Sequence, residues 1–302
     1  MTLYLKHRPQ SFEDVIGNEE MVEALQGILK FTDHPHVYLF TGPTGCGKTT
    51  LGRIVANELG CGDKDFRELD TADFRGIDTI REIRKQSQYR PLEGSCRVWL
   101  LDECAKLSND AQHALLKALE DTPKHVYFIL CTTDPQKLLP TVRGRCSQYE
   151  VKLLSDSQML KLLRRVVKAE EESLQKQVYD QIIQDSGGHP RNALQILAST
   201  LSVSSDKRLE IAKRSAEEQS QVIELCRVLL NGAGWKKIRG ILANLKDEDP
   251  ERIRRAVLGY CNSVLLKEEN NQAAAIMEEF LEPFYNTGWS GLTYACYSVI
   301  SA

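Results

Sequence analysis

The stretch Gly42-Pro43-Thr44-Gly45-Cys46-Gly47-Lys48-Thr49 matches the pattern G-x-x-x-x-G-K-[S/T], which is typical of a phosphate-binding loop. An apolar run at 37–41 precedes it, and a helical pattern begins at Thr50. Glycines in such a turn let backbone N–H groups surround a phosphate, and the helix N-terminus adds positive potential. Lys48 is predicted to neutralise the β- and γ-phosphate oxygens, and the Thr49 hydroxyl to bind Mg²⁺. The stretch predicts a P-loop in an α/β domain with a parallel sheet.

A second motif, Val98-Trp99-Leu100-Leu101-Asp102-Glu103, is four apolar residues followed by two acids. Ligands of parallel α/β sheets bind at the carboxyl ends of the strands, so both acids are expected near the phosphate loop. Asp102 is predicted to help hold Mg²⁺, directly or through water, and Glu103 to polarise the attacking water. The alternative is an ordinary strand whose end carries two solvent-exposed acids. A P-loop in the same domain makes this alternative less favoured. The pair favours a hydrolase over a nucleoside kinase.

The order of patterns along the chain predicts three domains. Residues 1–150 alternate strand-like and helical runs, which is typical of a parallel sheet with crossover helices. From about residue 152 the pattern is helical, and a short serine-rich stretch at 202–206 interrupts it. The strand-like runs lie at 37–41, 97–101 and 126–132. We expect an α/β nucleotide domain at 1–150, a helical lid at 151–205 and an all-α domain at 206–302.

Composition narrows the class of protein further. The formal net charge of −3 argues against a basic coat over the whole molecule, but it allows one basic face. The nine cysteines are scattered and form no C-x-x-C pair, so no zinc site is expected and the thiols are interpreted as reduced. No apolar run is long enough to span a bilayer, so we expect a cytoplasmic protein with no membrane partner.

Several motifs, in order, resemble the bacterial γ/τ subunit family of DNA polymerase III, the AAA+ motor subunits of sliding-clamp loaders. They are KHRPQSFEDVIG at 6–17, LLKALEDTP at 115–123 and HVYFILCTTDPQKL at 125–138. The resemblance covers most of 1–201, whereas beyond residue 207 only the helical character matches. It implies an ATPase that works in a ring, predicted to be pentameric, and loads a clamp onto primer–template DNA. The residues at 206–302 would then form the collar through which the subunits assemble.

The resemblance also implies roles for residues around the nucleotide. Arg8 and Pro9 match the segment that lies against adenine. Thr133 falls at the sensor-1 position, where a polar side chain touches the γ-phosphate or the attacking water. The alternative is that Thr133 only ends a strand and caps the loop before Pro135. Arg191 matches the sensor-2 arginine of the lid, and its alternative is a solvated side chain in the first turn of a helix. The residues expected to bind ATP are Arg8, Pro9, Gly42, Pro43, Thr44, Gly45, Cys46, Gly47, Lys48, Thr49 and Thr50.

Gly144-Arg145-Cys146 occupies the S-R-C position of the family, where the arginine enters the active site of a neighbouring subunit. Such an arginine finger stabilises the charge of the transition state. Here Gly144 replaces the serine, and Arg143 lies close by, so either arginine is a candidate. We choose Arg145 as the finger. The alternative is that this arginine only forms a structural salt bridge.

A DNA-facing surface is expected on the helix near residues 77–88. Its basic and polar side chains, Arg81, Arg84, Lys85 and Gln88, share one side, while isoleucines face another. These groups are suited to phosphates of duplex DNA, although an ordinary solvated helix face fits equally. The resemblance adds Arg75 as a residue that senses DNA and Gln112 as one that couples neighbouring subunits.

Two departures from the bacterial γ/τ pattern point to the compact small subunits of replication factor C-type loaders. Residues 57–70 contain only one cysteine, so the family's zinc module is not expected, and the chain ends at residue 302 without a long tail. The predicted function is therefore an ATP- and Mg²⁺-dependent clamp-loader subunit. The alternatives are an AAA+ branch-migration translocase and a stator subunit that does not hydrolyse ATP.

Overall fold

The computed structural model describes residues 2–71, 73–74, 76–219, 221–246, 248–266 and 269–301. For residues 214–219 and 301 it describes only the backbone. The chain divides into two compact units. The first unit contains residues 3–161 and 189–191, and the second contains 162–188 and the residues from 192 onward.

A parallel five-stranded sheet, in the order β2-β3-β4-β1-β5, forms the centre of the first unit. The strands are β1 Val37–Thr41, β2 Cys61–Asp70, β3 Cys96–Asp102, β4 Val126–Thr132 and β5 Ser147–Glu150. The chain leaves β1 for the far edge of the sheet and returns through β3 and β4. The carboxyl ends of β1, β3 and β4 are therefore adjacent, which is where α/β sheets bind ligands.

Helices cover both faces of this sheet, so its inner strands are apolar throughout rather than alternating. One apolar cluster includes Tyr38, Phe40 and Leu100, and the other includes Leu39, Trp99 and Leu101. The helices are α1 Leu3–Lys6, α2 Glu19–Leu29, α3 Lys48–Glu58, α4 Ile77–Gln86, α5 Asn109–Glu120 and α6 Pro140–Arg143. Short 3-10 segments occur at Phe12–Asp14, Cys104–Lys106 and Pro135–Lys137.

The residues that the structure describes after β5 form helices and the loops between them. Its helices are α7 Asp156–Ala169, α8 Lys176–Ser186, α9 Pro190–Leu201, α10 Arg208–Gln219, α11 Gln221–Leu230, α12 Trp235–Asn244, α13 Pro250–Leu265, α14 Asn271–Phe280 and α15 Gly288–Ser301. Helices α11–α15 share one apolar core, which includes Leu225, Val257 and Phe280. Over the described ranges, no helix is both long and apolar enough to cross a membrane.

These observations confirm the predicted fold class, a parallel α/β domain followed by a helical region. Two strands were not predicted from the sequence. The residues of β2 are mostly charged, and apart from Asp65 they are exposed or half-buried because β2 lies at an edge of the sheet. The four-residue β5 forms the other edge, and only Tyr149 in it is buried.

Candidate active site

The P-loop connects β1 to α3 through glycines that adopt left-handed backbone angles. Gly42 has φ +144°, and a side chain there would collide with the carbonyl of Val151. Gly47, with φ +111°, precedes the first turn of α3. L-residues with side chains rarely adopt these angles, so the glycines permit a backbone path that leaves the N-terminus of α3 open.

Lys48 begins α3, and its side chain bends back into the loop. The residue is buried, and its amine donates hydrogen bonds to the carbonyls of Gly42 (2.9 Å) and Pro43 (2.8 Å). A buried ammonium group needs such partners, since burial without them carries a large desolvation cost. The hydrogen bonds hold the positive charge inside the loop, where a phosphate would bind.

Thr49 and Asp102 come from different elements and meet beside the P-loop. The Thr49 hydroxyl donates to Asp102 Oδ2 at 2.7 Å, and Asp102 Oδ1 accepts from the N–H of Glu103 at 3.0 Å. Mg²⁺ prefers hard oxygen ligands and is usually held by one or two protein groups together with phosphates and water. This hydroxyl–carboxylate pair fits that ion. Within the described residues, no group of three or more His, Cys, Asp or Glu side chains is arranged to bind a metal.

Glu103 and Thr133 follow neighbouring strands, and the structure brings their side chains together. Thr133 Oγ1 donates to Glu103 Oε2 at 3.4 Å. Glu103 has φ +52°, which is unusual for a residue with a side chain. Thr71, at the end of β2, donates hydrogen bonds to the backbone of this turn, although it belongs to none of the sequence motifs.

Arginine side chains converge near the opening of the loop. Burial, and then the charge of Arg53, lower the pKa of Arg8, and Arg191 acts in the same direction. The N–H of Arg191 donates to the Gly45 carbonyl at 3.4 Å, and its guanidinium lies 5.8 Å from the centre of the Tyr4 ring. The Glu68 carboxylate acts in the opposite direction on the pKa of Arg8, and it pairs with Arg53 at 2.6 Å, so part of this positive charge is already offset. Arg53 and Tyr4 were not identified from the sequence, because neither belongs to a recognisable motif.

Other predicted ATP-binding residues lie in or beside the same loop. The Thr44 carbonyl is 2.7 Å from Nδ1 of His189. Cys46 is buried, and burial raises the pKa of its thiol above the usual range. Pro9 and Thr50 are half-buried.

The two candidate finger arginines differ in exposure. Arg145 is exposed, donates to the Thr141 carbonyl at 3.0 Å and forms an ion pair with Glu120. Arg143 is half-buried and donates to Gln136 Oε1 at 3.4 Å. Both lie at the C-terminal side of α6, and the exposed ion pair of Arg145 is of a kind that contributes little to stability.

The predicted DNA-facing side chains of α4 are exposed. Arg81 pairs with Asp78 at 3.0 Å, and Arg84 pairs with Asp121 at 3.5 Å. Lys85 and Gln88 are also exposed, whereas Ile80 and Ile83 pack into the core. A groove of about 270 Å³ between α4 and α5 is lined in part by Arg81, Arg84, His113 and Lys117.

Arg75 and Gln112 are the other two residues for which the resemblance implied a role in sensing DNA or coupling subunits. Arg75 lies outside the described residues. Gln112 is buried in α5, donates to the carbonyls of Leu107 and Lys137, and accepts from the N–H of Leu139. Any influence of Gln112 on a neighbouring molecule would therefore pass through the segments it holds.

Comparison with known proteins supports the resemblance seen in the motifs. The family model described as DNA polymerase III, delta subunit, matches residues 67–155. The gamma/tau subunit of DNA polymerase III from Mycobacterium tuberculosis (strain H37Rv) is 36% identical over 229 residues, which is 68% of this chain and 40% of that protein. The tau subunit of Escherichia coli K12 is 34% identical over 212 residues, 63% of this chain and 33% of that protein. The chain thus spans about 40% or less of the length of these relatives.

Solved structures share the fold at lower sequence identity. A point mutant of RuvB from Thermotoga maritima superimposes with a TM-score of 0.67 at 17% identity, covering 88% of this chain and 94% of that one. RuvB of the same organism, titled a Holliday junction branch migration motor, gives a TM-score of 0.62 at 19% identity, covering 80% and 86%. At this identity the likeness concerns the fold alone.

Proposed function

We propose that this AAA+ chain, a homologue of the gamma/tau subunits of DNA polymerase III, is an ATPase subunit of a sliding-clamp loader. The similarity to gamma/tau subunits supports the clamp-loader part of the proposal. The observation that carries its ATPase part is the hydrogen bond between Thr49 and Asp102, with Lys48 and Glu103 beside it. This arrangement at the carboxyl ends of the strands matches the needs of nucleotide hydrolysis.

Each group around the loop has a role in this proposal. Lys48 neutralises the β- and γ-phosphate oxygens, and Thr49 and Asp102 would hold Mg²⁺. When bound, the ion offsets negative charge on the two phosphates. Glu103 orients and polarises the attacking water. The Thr133 hydroxyl, 3.4 Å from the Glu103 carboxylate, contacts the γ-phosphate or this water.

In this proposal the adenine and the γ-phosphate of ATP also contact residues beside the P-loop. Arg8 and Pro9 lie against the base, and Arg191 reaches the γ-phosphate. The hydrogen bond from the Arg191 N–H to the Gly45 carbonyl, at 3.4 Å, supports the placement of Arg191 beside the phosphate loop.

A neighbouring subunit completes the site in this proposal. Arg145 is exposed and bound by a surface ion pair and one carbonyl, so it is available to a partner. Residues 1–150 are the ATPase domain, residues 151–205 the lid and residues 206–302 the collar of a pentameric ring. ATP binding supports an assembly that opens the clamp, and hydrolysis on primer–template DNA releases it.

The ATPase rate of the purified chain, measured with and without primed DNA and a sliding clamp, tests this function. We expect a low basal rate that both ligands together raise severalfold. Lys48→Ala should abolish ATP binding, whereas Glu103→Gln should retain binding and lose turnover. Lys30→Ala, which replaces an exposed lysine after the end of α2 and outside all of these motifs, is the control.

Three outcomes would contradict the proposal in different ways. A rate that neither DNA nor clamp changes would leave an ATPase without a clamp-loader role. Stimulation by branched DNA but not by clamp and primed DNA would favour a branch-migration translocase. A chain that binds ATP without measurable turnover under every condition would favour a stator subunit.

A further inference from the structure

Thr71 contacts the catalytic turn from a different strand. It follows the last residue of β2 and is buried, with 1% of its surface exposed. Its N–H donates to the Asp102 carbonyl at 3.0 Å. Its hydroxyl lies 2.9 Å from the Asp102 carbonyl oxygen and 2.7 Å from the Glu103 carbonyl oxygen, so one donor serves both acceptors.

The turn that Thr71 contacts has an unfavourable backbone conformation. Glu103 lies in the left-handed region, with φ +52° and ψ +37°. Non-glycine residues adopt this conformation only where surrounding contacts impose it, and such residues are frequent at active sites. Two other hydrogen bonds come from the turn and the segment after it, namely Glu103 N–H to Asp102 Oδ1 and Lys106 N–H to the Glu103 carbonyl. The N–H and the hydroxyl of Thr71 add restraints from the neighbouring strand, and the hydroxyl is the group that reaches the Glu103 carbonyl.

The direction of the Glu103 side chain depends on this backbone conformation. Its carboxylate lies 3.4 Å from the Thr133 hydroxyl, so a rotation of the turn would move it relative to its partner and to a phosphate in the P-loop. Small displacements of catalytic groups reduce rates strongly, because the reacting atoms must meet in a narrow range of geometries.

We propose that Thr71 is a positioning residue for ATP hydrolysis, whose hydroxyl holds the Asp102–Glu103 turn so that Glu103 faces the attacking water. The inference rests on the proposed ATPase function and extends it to a residue outside the P-loop and the acidic motif. Thr71 acts through the turn and not on the nucleotide, so its replacement should affect turnover and leave nucleotide binding intact.

The test compares Thr71→Val, which replaces the hydroxyl with a methyl group, with Thr71→Ser, which keeps the hydroxyl. In the 302-residue chain, under the conditions of highest wild-type rate, we expect Thr71→Val to lower kcat about tenfold or more. The KM for ATP, the Kd of a non-hydrolysable ATP analogue and Tm should stay near the wild-type values. Thr71→Ser should restore most of kcat.

Thr122→Val is a matched control. The Thr122 hydroxyl also lies near two carbonyls, those of Ala118 (2.9 Å) and Leu119 (3.0 Å), but at the end of α5. This variant removes a comparable pair of hydrogen bonds and should change kcat by less than about twofold. Thr71→Ala, which removes the hydroxyl without the added methyl group, gives the same comparison if the valine variant is unstable.

The outcomes separate this inference from the proposed function. If the wild type hydrolyses ATP and kcat is unchanged in Thr71→Val and Thr71→Ala, the positioning role is overturned but the ATPase proposal is not. Equal losses in Thr71→Val, Thr71→Ser and Thr122→Val would also overturn it, because they would indicate general destabilisation. Absence of turnover in the wild type would overturn the ATPase proposal and this inference with it.

Discussion

At the scale of single residues, the nucleotide domain is organised by side chains that bind backbone atoms. Lys48 donates to carbonyls of its own loop, and Thr71 donates to the carbonyls of the last residue of β3 and the residue after it. Gln112 binds three backbone groups near α5. Asp65 accepts hydrogen bonds from the N–H groups of residues 92–94. Each hydrogen bond helps to define the path of a loop that has no regular secondary structure to hold it.

The buried carboxylate of Asp65 gives a pH-dependent prediction. Burial alone would raise its pKa, but hydrogen bonds from residues 92–94 and from Arg97 outweigh this effect and lower the pKa to about 2. The folded pKa is below the unfolded value, so the stabilisation is complete above about pH 4 and is lost as the pH falls towards 2. Asp65→Asn should therefore lower the free energy of unfolding by about 2 kcal/mol or more at pH 7.

Urea unfolding across a pH series checks this prediction. The difference between wild type and Asp65→Asn should be constant from about pH 8 to pH 5 and should narrow below about pH 4. Asp63→Asn, which replaces an exposed aspartate on the same strand, should behave like the wild type. A difference that does not depend on pH would mean that the charge of Asp65 is not what stabilises the loop.

At the scale of secondary structure, a buried ion pair connects α13 to the end of α14. Arg254 donates to both carboxylate oxygens of Glu251, at 2.7 and 2.8 Å, and to the carbonyls of Phe280 (2.8 Å) and Leu281 (3.0 Å). The N–H of Phe284 also donates to Glu251 at 3.0 Å. Carbonyls at the end of a helix need donors, and Arg254 provides them for α14.

Arg254→Met should destabilise the helical unit by about 3–5 kcal/mol, because it leaves the buried Glu251 carboxylate without its main partner. Arg252→Met is the control on the same helix. Arg252 forms an exposed pair with Glu248 at 2.9 Å, so its replacement should cost at most about 1 kcal/mol. Chemical denaturation followed by helical circular dichroism measures both, and equal effects would contradict a special role for the buried pair.

The basic face of α4 gives a second prediction at this scale. If Arg81, Arg84 and Lys85 bind phosphates, replacing all three with alanine should weaken binding of primed DNA. The slope of log K against log salt concentration should become less steep by about 1 for each phosphate that is no longer bound. Fluorescence anisotropy at several salt concentrations measures the slope. The Lys30→Ala control should keep the wild-type slope, and an unchanged slope in the triple variant would place the DNA elsewhere.

At the scale of the whole molecule, the proposed function has a neighbouring chain complete the active site. The P-loop, Asp102 and Glu103 lie together, whereas Arg145 forms an exposed ion pair with Glu120. A head-to-tail ring would bring the arginine of one chain to the P-loop of the next, because such an interface joins different surfaces of identical chains. Hydrolysis would then depend on assembly as well as on the residues of each chain.

Mixing two inactive variants tests completion of the site by a neighbour. Lys48→Ala lacks a working P-loop and Arg145→Ala lacks the finger, so each alone should be inactive. In a random equal mixture, about one quarter of the interfaces join an intact P-loop to an intact finger, so about a quarter of the wild-type rate should return. As a control, the double variant mixed with Lys48→Ala has no complete interface and should stay inactive. If the mixture of Lys48→Ala and Arg145→Ala is just as inactive as this control, Arg145 is not the finger.

Features of this protein that depend on local spacing could be predicted from its amino-acid pattern. The run from Gly42 to Thr49 and the pair Asp102-Glu103 identify a phosphate loop and its acidic partner, because turn geometry and strand ends restrict which residues fit there. The order of apolar strands predicted the parallel sheet, and helical periodicity predicted the C-terminal region. The charged strand β2 was missed, because an edge strand carries little apolar signal.

Contacts between side chains that are distant in sequence could be identified only from the folded chain. Thr71 reaches the Glu103 turn because β2 pairs with β3, and no pattern near residue 71 predicts that hydrogen bond. Arg53 and Arg191 both act on the pKa of Arg8, and Gln112 is buried. Spacing along a chain reports neighbours on one helix or strand, whereas the meeting of residues from different elements depends on how their apolar faces pack.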